Sequence, residues 1–504
     1  MCSLIKKLPK SFIELFCCFL SHQLSTHYNI ALSTDAVLCG CCARQVDTEG
    51  KPDRQLERRL SIEEEWREKR LVCRMPLCAV CCGPASHWCG GCSNLWYCSP
   101  AHQRQHWADH KSNCRPTRVE SSPQLGKYLV AARALQPGQL LVAEECAVRG
   151  PGEEPGDTPV CLSCYFPAHH TCPVCSAPLC GAATCEAGDH AVECETVGRA
   201  GLGRDPAWLD LVPALRLLLL RHTDPARYAR CAALSTNLAE REAGAGPGWA
   251  DTQARAARLS QLFPGLCCQQ EALTALCLLD TNTFQVLAAG SAHTLAGLFP
   301  RAALLNHSCQ PNCRLVFRAD YTLQVFTSVA VPAGEPLTIS YTPPFYSVLA
   351  RAQVLQRGKQ FSCSCPRCRD PTELDTRLSS PRCREGTGCP GHYLPTGPPA
   401  TSDWTCDTCP HLLSAKQYAL LDARLFAVQT NLDRENVAGL KAVLEQFSPG
   451  LHPDHALLTE TRQHLAAALG RVPGYRYDQL SREDLQLKVF RICYIGDVIP
   501  PFPQ

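Results

Sequence analysis

The chain has almost no excess charge of either sign. Its 504 residues include 49 Lys and Arg against 47 Asp and Glu, which gives a formal net charge of +2. Without a strong overall field, we expect no long-range attraction towards nucleic acid or anionic lipid. Direct sequence-specific DNA binding is therefore not predicted, and any such contact would need a local patch.

Long apolar runs are also missing. A helix that crosses a bilayer needs about 20 apolar residues, whereas the longest clear run, Leu215–Leu220, contains Arg216, is followed by Arg221 and predicts a buried helix segment. Lysines at positions 6, 7 and 10 precede the apolar stretch 12–20, in faint resemblance to a signal peptide. Glu14 interrupts that stretch and no cleavage site is clear, which favours a poorly ordered leader. No membrane segment is predicted.

Cysteine is abundant, at 36 residues. A cysteine-rich chain forms disulfides in an oxidising compartment or holds metal in a reducing one. Here the cysteines recur as C-x2-C pairs with His at ligand spacing, which a disulfide framework does not require. The pattern predicts zinc sites in a chain located in the cytoplasm, the nucleus or both. The length predicts three or four modules rather than one core.

The first cluster of ligands supplies eight donors, enough for two tetrahedral zinc sites. Cross-braced assignment gives Cys78, Cys81, Cys98 and His102 to one ion, and Cys89, Cys92, His110 and Cys114 to the other. The pairs 98/102 and 110/114 have the i, i+4 spacing of one helix face, so we expect each pair to lie on a helix. A module of about 40 residues needs such metal to fold.

A second cluster repeats the ligand order: Cys161, Cys164, Cys172, Cys175, Cys180, Cys185, His190 and Cys194. The interval between Cys185 and His190 is shorter than its counterpart in the first cluster. We expect a trimmed helix there, which would perturb one site, although two zinc ions remain the favoured interpretation.

Two further groups lie downstream. Cys363, Cys365 and Cys368 provide three thiolates where tetrahedral zinc takes four, and Cys309 has no local partner, so we expect Cys309 to complete that site. Cys383, Cys389, Cys406 and Cys409 predict a sixth zinc site with Trp404 packed beside it. Unpaired structural cysteines are the alternative for this last group.

Between the clusters, hydrophobic spacing indicates the secondary structure. Residues 53–74 are densely charged and predict an exposed helix, and 125–150 alternate as short strands do. Leu and Ala at helical spacing predict helices over about 205–297. Strand character returns between 298 and 341. The tail from 413 is predicted to be helical, with Val437, Leu440, Leu444 and Phe447 on one face.

Several motifs resemble a known family. Residues 298–317 (LFPRAALLNHSCQPNCRLVF), 334–341 (GEPLTISY) and 126–150 resemble the SET domain of protein lysine methyltransferases. The first cluster, with WYCS at 96–99 and its His-x3-Cys close, resembles the MYND zinc finger, except that His102 stands where Cys is usual. Together they resemble the SET and MYND (SMYD) family over about residues 76–500. The second finger and Cys383–Cys409 are most similar to its arthropod, SmydA-like branch.

The resemblance implies an α+β fold: a split SET-domain β-fold with MYND zinc fingers, a post-SET zinc site, a helical insert and a helical C-terminal domain. The implied domains are 1–75 leader and charged helix, 76–116 MYND finger, 120–150 SET N-terminal strands, 158–196 second MYND-like finger, 197–297 helical insert, 298–345 SET core, 346–412 post-SET and additional zinc segment, and 413–504 C-terminal helices.

The same resemblance implies an S-adenosylmethionine-dependent protein-lysine N-methyltransferase acting on a histone or another protein. The implied cofactor-binding residues are Lys127, Asn282, Asn306, His307, Tyr341 and Phe361, and Tyr341 is the implied catalytic residue. Lysine, with a solution pKa of about 10.4, must lose its proton before it attacks, and an apolar channel favours that loss. A tyrosine hydroxyl there would stabilise the methyl carbon's partial positive charge.

Two positions depart from the family pattern. Tyr128 replaces the second glycine of the usual Gly-x-Gly cofactor loop, where Gly126 and Lys127 precede it. Lys359 stands where several relatives have an aromatic residue near the lysine channel. Both favour an alternative function, an inactive adaptor whose MYND modules recruit proline-rich partners. The finger as a mere folding element and the chain as a zinc reservoir are further alternatives. A monomer is expected.

Overall fold

The structure is a computed structural model that describes residues 77–487, apart from 93–94, 112–113, 153–158, 187, 203–205, 245–246, 288–293, 319 and 384–387. The leader and the charged helix predicted at 53–74 lie outside the described residues. The strands are β1 His87–Trp88, β2 Trp96–Tyr97, β3 Thr117–Ser122, β4 Gly126–Ala131, β5 Leu140–Glu144, β6 Val148–Pro151, β7 His170–Thr171, β8 Pro178–Leu179, β9 Thr283–Leu287, β10 Thr294–Leu298, β11 Asn306–His307, β12 Cys313–Phe317, β13 Leu323–Thr327, β14 Thr338–Ile339, β15 Tyr393–Pro395, β16 Trp404–Cys406 and β17 Leu412–Leu413.

The helices comprise one in the first finger and others that fall between β8 and β9 or after β14. They are α1 Pro100–His110, α2 Ala183–Glu186, α3 Asp189–Arg199, α4 Val212–Thr223, α5 Pro225–Ala232, α6 Leu238–Gly244, α7 Pro247–Leu262, α8 Gln269–Asn282, α9 Val348–Lys359, α10 Pro366–Arg369, α11 Ala415–Thr430, α12 Val437–Phe447 and α13 Ala456–Ala468. Among the described residues, no helix has both the length and the hydropathy needed to cross a membrane.

Small sheets surround one apolar core in the middle of the chain. One sheet has the order β12-β13-β5 and another the order β6-β10-β9, both antiparallel, while β11 and β14 pair in parallel. In β13, Leu323 and Val325 point into the core and alternate with half-buried residues, as period-2 patterning requires. The amide of Leu337 donates to the carbonyl of Leu129, which aligns β4 with the segment that leads into β14. The predicted α+β class is confirmed.

The helical prediction for 205–297 is correct as far as Asn282 and wrong beyond it. Residues 283–287 and 294–298 form the antiparallel strands β9 and β10. Their sequences alternate apolar with small or polar residues, which buries Val286 and Leu295 on the core side. Sheet pairing with β6 decides this segment, because a strand can bury one face there and a helix cannot join the ladder.

The second finger and the insert helices share one core. Leu215, Leu217 and Leu218 of α4 are buried as predicted, and they belong to the same apolar cluster as the finger's Cys161. The indole of Trp208 donates to the carbonyl of Cys175 at 3.0 Å. The second finger is therefore an integral part of the globule rather than an appended module.

A buried ion pair strengthens that junction. Arg216 of α4 pairs with Glu193 of α3, and both side chains are almost completely buried. The same guanidinium donates to the Tyr165 hydroxyl and to the Leu162 carbonyl, each at 2.9 Å. Buried charges are tolerated when they are paired and hydrogen-bonded in this way.

The C-terminal helices pack as their sequences predict. Val437 and Leu440 of α12 are buried, and Leu444 and Phe447 are half-buried on the same face. At the other end of this region, Trp404 stacks on Tyr418 of α11 with ring centroids 3.6 Å apart.

Candidate functional site

The first finger brings its eight ligands together as two groups of four. Cys78, Cys81, Cys98 and His102 form one group, and Cys89, Cys92, His110 and Cys114 form the other, with all donor atoms of a group within 4.8 Å of one another. Sulfur–sulfur separations are 3.7–3.8 Å, and sulfur–imidazole nitrogen separations are 3.1–3.4 Å. Thiolates 2.3 Å from a tetrahedral zinc ion are about 3.8 Å apart. The groups therefore fit zinc, and the donors are divided between them as the cross-braced assignment predicts.

The prediction that each His-containing pair lies on a helix is wrong for this finger. Helix α1 begins at Pro100 with Ser99 as its N-cap, so Cys98 precedes it. It ends at His110, so Cys114 follows it. Cys98 directly follows strand β2, and Cys114 lies beyond the turn at the end of the helix. Pro100 at the first helical position fixes where the helix starts, so Cys98 remains outside it.

The second finger is assembled in the same way. Cys161, Cys164, Cys180 and Cys185 form one group, and Cys172, Cys175, His190 and Cys194 form the other. The sulfurs of Cys164 and Cys180 are 3.7 Å apart, and those of Cys172 and Cys194 are 3.6 Å apart. Helix α2 is trimmed to four residues, as expected, yet neither group is separated. In this finger His190 and Cys194 do share a face of one helix, α3.

The long-range closure predicted for Cys309 is present. Its sulfur is 3.5 Å from that of Cys368 and 4.0 Å from that of Cys363, and Cys365 completes the group. Hydrogen bonding among the sulfurs lowers the pKa of Cys363 and raises that of Cys309. A disulfide would need about 2.05 Å between sulfurs, so this donor set fits zinc and not a cystine.

The last group of four cysteines lies between residues 383 and 409. The sulfurs of Cys383 and Cys409 are 3.7 Å apart, as are those of Cys389 and Cys406. Trp404 is buried in the same apolar cluster. This spacing matches a zinc site, and it favours zinc over the alternative of unpaired structural cysteines.

Metal analysis tests these groups directly. The purified chain is expected to contain about six zinc ions per molecule, because six four-donor groups have tetrahedral spacing. Inductively coupled plasma mass spectrometry on protein prepared with a thiol reductant would measure this. Cys231→Ser, which changes a buried cysteine of α5, should leave the count unchanged. A count near four with intact disulfides in non-reducing mass spectra would contradict the zinc assignment.

Two arginines lie beside the Cys309 group. Arg351 of α9 is 1% exposed, pairs with Glu373 at 2.8 Å, and donates to the Cys368 sulfur at 3.8 Å. Burial alone would lower the pKa of Arg351, but the charges of Glu373, Cys309 and Cys368 raise it. Arg367 of α10 donates to the Cys309 carbonyl at 3.4 Å. These positive charges offset the negative charge of four thiolates. No sequence motif indicated the Arg351–Glu373 pair.

Next to this group, Tyr341 lies against the β11–β14 pair. The Tyr341 amide donates to Nδ1 of His307 at 3.0 Å, and its hydroxyl donates to the Leu305 carbonyl at 2.5 Å. Burial raises the pKa of Tyr341, so the hydroxyl keeps its proton. With that proton held by Leu305, the lone pairs of the phenolic oxygen are available to another group.

Phe361 completes an aromatic cluster with these two residues. Its ring centroid is 6.0 Å from that of His307 and 6.4 Å from that of Tyr341. Phe361 precedes Cys363 by two residues and His307 precedes Cys309 by two, and Nε2 of His307 is 3.2 Å from the Cys309 sulfur. The Cys309 group therefore fixes both rings next to Tyr341.

Asn306 supplies an observation that points to a ligand. Within the described part of the chain, its Nδ2 is buried and has no hydrogen-bond partner. A buried donor without a partner costs about 1–3 kcal/mol, so a polar ligand that accepts from it would be stabilised. The implied cofactor has carboxylate, hydroxyl and ring-nitrogen acceptors, and the Asn306 amide fits such a group.

The other implied cofactor-binding residues, Asn282 and Lys127, have surroundings that differ from those of Asn306. Nδ2 of Asn282 donates to the carbonyls of Ser235 and Leu278, each at 2.7 Å, so this amide is engaged in holding the end of α8. Lys127 is exposed on β4, and Tyr128 beside it is half-buried. Gly126 has φ +64°, a conformation that suits glycine. The roles of Asn282 and Lys127 in binding a cofactor remain predictions.

A contact that the sequence did not indicate involves Lys359, the last residue of α9. Its Nζ donates to the Thr281 carbonyl at 2.6 Å and lies 5.6 Å from the centroid of the Tyr341 ring. The sequence showed that position 359 is lysine where several relatives have an aromatic residue. Only the fold shows that the ammonium group lies over the Tyr341 ring.

Two family models match the chain: the SET domain over residues 126–342 and the MYND finger over residues 78–114. The chain therefore contains a SET domain and a MYND finger. The SET match spans the second finger and the insert, and it ends one residue after Tyr341.

Among known proteins, this SET and MYND protein is similar to SET domain-containing protein SmydA-8, isoform B, of Drosophila melanogaster, at 27% identity over 75% of this chain and 86% of that one. Histone-lysine N-methyltransferase ASHR1 of Arabidopsis thaliana is 23% identical over 71% and 79%. Mouse histone-lysine N-methyltransferase SMYD3 is 37% identical over 17% and 20%. A solved SET domain of LSMT bound to lysine and AdoHcy is 15% identical, over 80% of this chain and 93% of that chain, with a TM-score of 0.32.

Proposed function

We propose that this SET and MYND protein transfers a methyl group from S-adenosylmethionine to a lysine side chain of a histone or another protein. The observation that carries the proposal is the placement of the Tyr341 hydroxyl, oriented by the Leu305 carbonyl and flanked by His307 and Phe361. The unpartnered Asn306 amide beside it supports a polar cofactor. The names of ASHR1 and SMYD3 support the same reaction class.

Each residue has a physical role in this proposal. S-adenosylmethionine, when bound, supplies an activated methyl group on a sulfonium. Tyr341 keeps its proton, donates it in a hydrogen bond to the Leu305 carbonyl, and would direct its lone pairs towards the reacting carbon, which is electrostatic preorganisation rather than proton transfer. His307 and Phe361 exclude water, which favours the neutral form of an entering amine. Tyr341 and the cofactor residues align two reactants, which lowers the entropy cost of the transfer.

Replacing the tyrosine hydroxyl tests this proposal. Tyr341→Phe should lower the rate of methyl transfer by roughly 100-fold or more, because one preorganised polar group is lost from the transition state. S-adenosylmethionine affinity should change by less than about threefold, since the ring remains. The measurement is incorporation of labelled methyl groups into proteins of a cell extract.

The matched control is Tyr475→Phe, a change in the C-terminal helical region that packs with α12 and α13. It should retain the rate of the unchanged protein. Equal labelling by the Tyr341→Phe variant and the unchanged protein would exclude the proposed role of the hydroxyl.

An inactive adaptor is the second candidate, and the contact of Lys359 with Tyr341 favours it because a fixed cation occupies one face of that ring. Calorimetry distinguishes the two candidates. An adaptor with an obstructed pocket should give no binding heat with S-adenosylmethionine, whereas the methyltransferase should bind it.

In either case we infer that the first finger binds proline-rich peptides. Trp88 on β1 is 57% exposed and stacks edge-on against Trp96 at 5.3 Å, which provides the kind of aromatic surface that extended proline-rich segments use. The chain is proposed to act as a monomer in the cytoplasm, the nucleus or both, where reduced thiolates can hold zinc.

A further inference from the structure

Lys359 is held in place by several elements. Its carbonyl accepts a hydrogen bond from Nδ2 of Asn237 at 3.0 Å, and the carbonyl of Gly358 accepts one from Arg241 at 3.1 Å. The next residue, Gln360, takes the left-handed conformation that ends α9. The backbone of Lys359 is therefore fixed between α6 and the segment that leads to Phe361.

The ammonium group is fixed as well. Its hydrogen-bond acceptor, the Thr281 carbonyl, belongs to the last turn of α8, where the helix dipole is negative and favours a cation. From there Nζ lies over the Tyr341 ring, at 5.6 Å from its centroid. A resident positive charge thus stands on one face of the tyrosine that the proposed function places at the reacting methyl group.

We propose that Lys359 is a specificity-determining residue that lowers the affinity of this pocket for S-adenosylmethionine relative to S-adenosylhomocysteine. This inference rests on the proposed function. The two ligands share their adenosine and amino-acid parts, and they differ in that the first has a positively charged sulfonium and the second a neutral thioether. A fixed cation repels the first and leaves the second almost unaffected.

The expected size follows from Coulomb's law. For a charge separation of roughly 6–10 Å and an effective dielectric constant of about 20–40, removing one positive charge should change the ratio of the two affinities by roughly 4- to 100-fold. Arg241 and Asp280, 3.7 Å apart, contribute charge of both signs nearby. They are present in every variant, so the comparison isolates the charge of residue 359.

The same charge bears on the entering lysine. Two ammonium groups on one aromatic ring repel each other, so Lys359 favours entry of the neutral amine. It also disfavours replacement of the neutral-sulfur product by a new molecule of S-adenosylmethionine. Lys359 is thus predicted to make the protein sensitive to inhibition by S-adenosylhomocysteine.

Three substitutions separate the charge from the hydrogen bond to Thr281. Lys359→Arg keeps the charge, Lys359→Gln keeps a donor without the charge, and Lys359→Met removes both. Isothermal titration calorimetry with each ligand, on the full chain with zinc, gives the two dissociation constants. The ratio of the S-adenosylmethionine constant to the S-adenosylhomocysteine constant should fall roughly 4- to 100-fold in the Gln and Met variants and stay within about twofold in the Arg variant.

Lys416→Gln removes an exposed lysine on α11 and is the matched control, for which no change is expected. If both ligands bind but the ratio is unchanged in Lys359→Gln, the inference is wrong. The proposed function is not affected by that result, because the pocket still binds the cofactor. A ratio that falls in Lys359→Met alone would also overturn the inference, because the hydrogen bond and not the charge would then be responsible. If no variant binds either ligand, the proposed function fails and this inference fails with it.

Discussion

Serine in place of Cys309 is expected to produce a chain that holds one zinc ion fewer and no longer binds S-adenosylmethionine. Cys309 is the one ligand of its group that comes from the β11–β12 segment, and the other three follow Phe361. Without it the two segments lose their shared ion, so His307 and Phe361 are no longer fixed against Tyr341. A structural zinc ion supplies about 10–16 kcal/mol of binding free energy, far more than the Arg367 hydrogen bond to the Cys309 carbonyl between the same segments can supply. Zinc content and calorimetric titration measure both effects.

Cys313→Ser is the matched control for this experiment. Cys313 is also buried, lies four residues further along on β12, and belongs to none of the zinc groups described here. It should keep the full zinc content and bind the cofactor. Normal cofactor affinity in the Cys309→Ser variant would show that the pocket does not depend on the zinc closure.

Arg351→Met should reduce the free energy of unfolding by about 3–5 kcal/mol, because it leaves the buried Glu373 carboxylate without its closest partner. The same change removes a hydrogen bond to the Cys368 sulfur. Urea unfolding followed by circular dichroism would measure the loss. Release of zinc to a chelator should also be faster, since a cation that stabilises the thiolates is gone.

A second substitution checks the cause. Adding Glu373→Gln to Arg351→Met should recover part of the lost stability, because the buried carboxylate is then neutral, while Arg367, 3.6 Å from Glu373, still has the thiolates of Cys309 and Cys368 nearby. Arg118→Met, at an exposed ion pair with Glu120, should cost less than about 1 kcal/mol. Equal losses at positions 351 and 118 would mean that the buried pair contributes no more than a surface one.

Ligand spacing allowed the metal groups to be predicted from the sequence. A C-x2-C pair presents two sulfurs to one ion whatever surrounds it, so the sets at 78–114 and 161–194 are locally determined. Counting thiolates was enough to bring Cys309 to Cys363, Cys365 and Cys368 over 54 residues. The resemblance to SET motifs implied that Tyr341 and His307 share one site, and their ring centroids are 5.3 Å apart.

Other features depend on contacts that have no local signal. The Leu and Ala spacing over 205–297 predicted helix throughout, although β9 (TFQVL) carries strand-forming Thr, Phe and Val, and the pairing of β10 with β6 and β9 decides the segment. Ligand spacing alone also misplaced the ends of α1. No sequence pattern around Arg351 or Glu373 indicates that the two side chains pair, so only the packed structure reveals the ion pair. The direction of the Lys359 side chain also has no signal in the sequence.

The parallel pairing of β11 with β14 has a consequence for biosynthesis. His307 and Tyr341 can meet as soon as residue 341 has left the ribosome, but the segment that carries Phe361 is joined to His307 through a metal group whose last cysteine is residue 368. A nascent chain therefore has no closed pocket until it has emerged past that point and captured a metal ion. Translation and zinc supply together set the moment at which the pocket first exists.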